Sequence, residues 1–170
     1  MKKLLSIFFL LSFGTLSAQN INFKDTNGLA KLLCSRTWVQ YTLKSDSAFS
    51  KKIHDSLKLY PDRTFYNVSC PDIYKSDSER YSLSEIDRGF WNFGEKRKIK
   101  VKETTIDIIM VDILCMDGSG YLNCALVDGH RIKGTKAGKL FGNINGPFLL
   151  PFLHKGGIIW DKRWIWQPKR

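Results

Sequence analysis

After its first residues the chain repeats short runs of β-branched and aromatic residues that are separated by tight-turn signals, and this pattern restricts the fold most. About ten such runs are present, at residues 37–45, 56–60, 64–70, 80–85, 89–94, 98–102, 105–115, 120–128, 157–161 and 163–167. Because connections this short join antiparallel neighbours, we predict an all-β fold, an antiparallel up-and-down meander barrel of about eight to ten strands. A Greek-key sandwich needs longer returning connections.

The run at residues 37–45 alternates in a way that suits a wall with an inner and an outer face, with Trp38 and Gln40 on one side and Val39 and Tyr41 on the other. Residues 106–114 are nearly all apolar instead. We therefore expect this strand to be covered on both faces.

Helical periodicity after the leader is limited to "NGLAKLLCSR", where Asn27 is a candidate cap and Leu29, Leu32 and Leu33 lie on one side. We predict one short helix before the first strand.

Three features of the second half predict connections and a closing hairpin. Asp128–Arg131, "DGHR", fits a hairpin turn on its Asp-Gly pair, with an anion held by His130 and Arg131 as the alternative. Pro147 and Pro151 interrupt an apolar run, which predicts a buried loop across a barrel mouth. In the closing hairpin, Trp164 and Trp166 are expected on one face and Ile165 on the other.

The first residues resemble a secretion leader. Lys2 and Lys3 precede an apolar stretch at residues 4–13, and small residues before Ala18 suit cleavage after that residue. Because the stretch is too short to span a bilayer, we predict a signal peptide at 1–18, one barrel domain at 19–170, and an exported protein, periplasmic or secreted, that is not transmembrane after cleavage.

The chain is strongly basic, with a formal net charge of +11. Exported proteins seldom meet nucleic acid, so we do not expect it as a partner. A solvated basic surface explains the charge, and contact with an anionic envelope surface or a protein partner is the alternative.

Four cysteines in an oxidising compartment suggest disulfides. Cys115 and Cys124 bracket a turn-forming segment and are candidates to bridge neighbouring strands, which leaves Cys34 and Cys70 as the second pair. Buried free thiols are the alternative.

Four segments resemble lipocalin-like domains of exported Bacteroidota proteins. "LAKLLCSRTWVQY" resembles the opening helix and first-strand tryptophan, "LKLYPDRTF" the following hairpin, and "GFW" and "KIKVK" two later strand starts. Arg63 stands where the family prefers glycine. The resemblance covers about residues 28–102 and implies a helix that closes one barrel end with Trp38 packed beneath it.

The predicted function is non-enzymatic binding of a small hydrophobic ligand inside the barrel. Candidate lining residues are Trp38, Tyr41, Phe65, Phe90, Trp91 and Phe93. We expect no enzyme, cofactor or metal, because His54, His130 and His154 lack partners at catalytic or metal-binding spacing. The alternative is an envelope-associated interaction protein that uses a basic and aromatic surface and has no ligand cavity.

Overall fold

The computed structural model of the protein describes residues 21–45, 48–69, 86–116, 121–153, 157–158 and 165–169. The helices are α1 (Thr26–Cys34), α2 (Gly129–Ile132) and α3 (Lys136–Leu140). The strands are β1 (Thr37–Ser45), β2 (Ala48–Leu59), β3 (Thr64–Ser69), β4 (Ile86–Val101), β5 (Thr104–Cys115), β6 (Tyr121–Asp128), β7 (Pro147–Leu153), β8 (Gly157–Ile158) and β9 (Trp166–Pro168).

The strands form an antiparallel ring of eight, in the order β1-β2-β3-β4-β5-β6-β7-β9, and β9 returns to pair with β1. The short β8 pairs with β7 beside this ring. Every neighbour in the ring up to β7 is also a neighbour in sequence. The predicted all-β up-and-down meander barrel is therefore confirmed.

The buried side chains separate into an inner and an outer cluster. The inner cluster fills the ring beneath α1 and includes Trp38, Trp91 and Trp166. The outer cluster joins β5, β6 and β7 to α2 and α3 on the other side of the wall. Strand β5 contributes alternately to both clusters, so residues 108–111 are buried on both faces as its apolar sequence predicts.

Helix α1 closes the barrel end at which β1 begins. Leu29 and Leu33 belong to the inner cluster, and Trp38 Nε1 donates to the carbonyl oxygen of Leu33 at 2.9 Å. The predicted helix is confirmed, but its predicted cap is wrong. Asp25, not Asn27, is the N-cap, because its Oδ1 accepts from the Gly28 N–H at 2.9 Å.

The runs at residues 89–94 and 98–102 are predicted as two separate strands, and this prediction is wrong. Strand β4 is continuous through this segment and is paired with β5 throughout, with a register shift between Phe93 and Lys96. Close packing at this bulge leaves no room for a side chain at Gly94, because a Cβ there would lie 2.9 Å from both Asp112 Oδ2 and Met110 Cβ.

The predicted proline-broken loop at residues 147–153 is strand β7, which pairs with β6 at six consecutive positions. In a strand, successive residues point their N–H groups to opposite neighbours. Pro147 and Pro151 have the same parity, so both prolines replace N–H groups on the edge of β7 that faces away from β6. The N–H groups of Phe148 and Leu150 point the other way and remain for hydrogen bonds with β6. The prediction that this run is buried is correct for residues 147–151.

The predicted hairpin turn at Asp128–Arg131 is also wrong, because Asp128 caps α2 and its Oδ1 accepts from the His130 N–H at 3.1 Å. Helices α2 and α3 follow and cover the outer cluster. The sequence missed both helices because each has five residues or fewer, too short to show helical periodicity.

Several predicted features lie outside the described residues: the signal peptide at 1–18, the strand at 80–85, Cys70, His154, Trp160 and Trp164. Within the described part of the predicted closing hairpin, Trp166 belongs to the inner cluster and Ile165 to the outer one. These two residues therefore face opposite sides, as predicted.

Candidate functional site

The half of the barrel next to α1 is filled by side chains. Trp38 and Leu59 are 0 % exposed and Trp91 is 1 % exposed. Side chains packed this closely leave almost no surface for a ligand. Any ligand in the interior must therefore occupy the opposite half.

Toward that opposite half, the inner wall carries a row of polar groups. Gln40 on β1 lies opposite Asp55 on β2 and opposite Trp166 on β9. Asp55 alternates with Leu57 and Leu59, which belong to the inner cluster, so it faces inward. We call Gln40, Asp55, Asn67 and Trp166 the inner polar row, in which Asn67 faces inward on the neighbouring strand β3 opposite Leu57.

The inner polar row is largely removed from water. Gln40 is 3 % and Trp166 4 % exposed, and Asp55 and Asn67 are half-buried. The indole Nε1 of Trp166 is buried and has no hydrogen-bond partner among the residues that the structure describes. Since buried polar groups normally have partners, a buried N–H without one needs an explanation.

At the α1 end, Arg63 is held by aromatic rings. Its guanidinium lies 4.4 Å from the ring centroid of Trp91 and 5.2 Å from that of Phe93. Its φ of 70° is in the left-handed region, which favours glycine. Cation–π contact with these two rings stabilises this partly buried cation.

Cys34 lies near this cation but is not activated by it. Burial raises the pKa of the Cys34 thiol, and the opposing effects of Arg63 and Lys58 are smaller. Lys58 Nζ instead donates to the carbonyl oxygens of Cys34 and Arg36 at 2.7 and 3.2 Å. The group of cations therefore stabilises the end of α1 and leaves the thiol protonated.

The predicted disulfides are not formed. Cys34 and Cys124 are free thiols, so neither the Cys115–Cys124 bridge nor the Cys34–Cys70 bridge exists in the structure. The register explains the first error: Cys124 lies opposite Val111, four positions along β5 from Cys115. At about 3.4 Å per residue this separation exceeds disulfide reach.

The predicted ligand-lining residues are only partly brought together. Trp38, Phe65 and Trp91 meet in the inner cluster, and the half-buried Phe93 packs against it. Tyr41 has the opposite parity to Trp38 and is absent from that cluster. Phe90 is 53 % exposed on the outer face of β4, opposite Leu114, so it does not line the interior.

The alternative anion site at "DGHR" is occupied by the protein itself. The Arg131 guanidinium contacts Asp128 Oδ2 at 3.4 Å and Asp107 Oδ2 at 3.8 Å, and donates to the carbonyl oxygen of Ile21 at 3.1 Å. Asp128 Oδ2 also accepts from the Ile21 N–H at 2.8 Å. These contacts anchor the N-terminal segment at Ile21 to the barrel. The Arg131 guanidinium is therefore already bound by groups of the same chain.

No helix in the described ranges has the length and apolar character that a membrane span requires. Within the same ranges, no three His, Cys, Asp or Glu side chains are grouped as metal ligands would be.

Comparisons with protein families, with curated proteins and with solved structures found no match to this chain.

Proposed function

We propose that this is an exported, non-enzymatic binding protein of lipocalin-like type, whose barrel takes one small hydrophobic ligand in the half away from α1. The observation that supports this proposal is the inner polar row, and above all the buried Trp166 N–H, for which the described part of the chain offers no partner. The leader-like residues 1–18 support the export.

Energetics favour a ligand as the explanation of the inner polar row. A buried donor without a partner costs about 1–3 kcal/mol, and a closed core avoids this cost by placing an apolar side chain there. A ligand that is mainly apolar and carries an acceptor at one end satisfies Trp166 Nε1 and places its apolar part against the inner wall. The half of the barrel next to α1, which is filled by side chains, supplies a rigid support for this site.

The test is a titration of the purified protein, secreted by its host, with a fluorescent fatty acid and with retinol, followed by tryptophan fluorescence. We expect saturable binding to one site. Trp166→Phe keeps an aromatic ring but removes the N–H, so it should weaken binding by about three- to tenfold, which is the range for one neutral hydrogen bond.

Phe90→Leu is the matched control, because it also changes one aromatic residue but lies on the exposed outer face. It should bind as the unmodified protein does. Urea unfolding of Trp166→Phe separates lost binding from lost folding. Absence of saturable binding, or equal affinities for the two variants, would overturn the proposal.

A further inference from the structure

At the α1 end β4 and β5 extend beyond their neighbours, and residues 98–101 and 104–107, past the last β5–β6 pair at Ile108 and Val127, form a two-stranded ribbon. Strand β3 pairs with β4 only as far as Thr64 opposite Phe90, whereas β4 and β5 remain paired to Val101 opposite Thr104. Beyond Trp91, whose N–H donates to the Arg63 carbonyl oxygen, no described strand pairs with the other edge of β4.

One face of this ribbon is fixed to the body of the protein. Ile99, Val101, Ile106 and Ile108 pack in the outer cluster with α2 and α3. The Lys136 ammonium also contacts both carboxylate oxygens of Glu103 in the β4–β5 turn at 2.6 Å. The ribbon is therefore held in a defined orientation.

The other face presents three lysines, Lys96, Lys98 and Lys100, which we call the lysine stripe. They alternate along β4 and are all exposed. No described carboxylate forms an ion pair with any of them, and Asp107, opposite Lys98, is paired with Arg131. Arg97, on the other face, pairs with Glu95.

The stripe places like charges about 7 Å apart, which is unfavourable for the fold, and among the described carboxylates only Asp107, across from Lys98, lies directly opposite it, so the repulsion is only partly offset. Lysines do protect open strand edges from pairing with other chains. That role needs one or two charges on an edge, and it does not require three neighbouring ammonium groups aligned on one face.

We propose that the lysine stripe docks the protein onto an anionic lipid bilayer surface. The stripe consists of lysines, whose ammonium groups act as point charges on flexible side chains. It contains no arginine, whose planar guanidinium would bind a fixed phosphate through two parallel hydrogen bonds. It also has no buried polar group that would define a pocket. Such an array suits laterally mobile headgroup phosphates, and the proposal is independent of the interior ligand site.

The test measures partitioning of the purified protein onto vesicles by co-sedimentation, with phosphatidylcholine alone and with phosphatidylcholine mixed with phosphatidylglycerol. We expect binding only to the anionic vesicles, and its loss as salt is raised, because exposed charges are screened. The variant K96Q/K98Q/K100Q should lower the partition coefficient about a hundredfold, because each lysine near the membrane surface raises that coefficient about fivefold.

The variant K133Q/K139Q/K169Q is the matched control, since it removes the same charge from three exposed lysines outside the stripe. It should keep most of the binding. Equal losses for both variants would mean that net charge alone is responsible and would overturn the proposal.

Two further results would also overturn it. Retained vesicle binding by the stripe variant, together with its aggregation in solution, would mean that the lysines only protect the open edge of β4. Binding to heparin without binding to anionic vesicles would assign the stripe to a soluble polyanion. Unaltered urea unfolding of the stripe variant shows that the fold is intact.

Discussion

Trp38 is fully buried and its indole N–H reaches the Leu33 carbonyl oxygen, so this one side chain ties β1 to α1. We expect Trp38→Ala to lower the free energy of unfolding by about 3–5 kcal/mol, because it leaves a cavity beneath the helix. Trp38→Phe retains much of the packing and should cost less. Urea titration measures both, and Phe90→Ala, on the exposed face, should cost below about 1 kcal/mol. A similarly small cost for Trp38→Ala would contradict this packing.

Cys124 is buried in the inner cluster, and burial, together with the nearby Asp112 carboxylate, raises the pKa of its thiol. Since the thiolate is the reactive form, Cys124 should resist iodoacetamide in the native protein at neutral pH. It should react once urea unfolds the chain, without reductant. Peptide mass spectrometry locates the modification. A Cys124 that reacts in urea only after reduction would be bridged, contrary to the structure.

At the scale of elements, α1 provides a direct test of its cap. Asp25→Ala removes the acceptor for the Gly28 N–H and should cost about 1 kcal/mol of stability. Asn27→Ala, the change suggested by sequence alone, lies inside the helix and should be close to neutral or slightly stabilising, because alanine is the better helix former. Thermal unfolding of the two variants decides between them, and the reverse order would make Asn27 the cap.

Elements with strong local periodicity were predictable from the sequence. The bounds of β1 match the predicted run at residues 37–45. The nearly continuous apolar sequence of β5 likewise predicts its burial on both faces. Where the local signal was misleading, a long-range partner decided the outcome. Gly94 marks a bulge rather than a turn because β5 pairs with β4 on both sides of it, from Gly89 to Val101, and Pro147 is accommodated because β6 uses the other set of N–H groups.

The candidate site was predictable only in part. Alternation with Trp38 already places Gln40 on the inner face of β1. Asp55 could not be found in this way, because the predicted strand runs end at residue 45 and resume at residue 56, whereas β2 begins at Ala48. Trp166 and Ile165 face opposite sides as predicted, but the inward direction of Trp166 and its meeting with Gln40 depend on ring closure, which local patterns do not encode.

At the scale of the molecule, two covers protect different surfaces of the ring. Helix α1 closes one end over the inner cluster, whereas α2 and α3 cover the outside of β5, β6 and β7. The lysine stripe lies at the α1 end and the inner polar row lies toward the other end. Docking through the stripe would therefore leave the proposed ligand half of the barrel directed away from the bilayer.

The ring is closed by very few residues, and this makes its closure testable. Residues 165–169 supply Trp166 to the inner cluster and Ile165 to the outer one, and the Lys169 N–H donates to the Thr37 carbonyl oxygen at 2.8 Å. Deleting residues 165–170 should therefore expose two strand edges and abolish the cooperative urea transition followed by far-UV circular dichroism. Lys169→Ala is the control, because it retains the backbone N–H and should unfold as the unmodified protein does. A truncated chain that kept its cooperative transition at the same midpoint would show that the barrel does not depend on closure by β9.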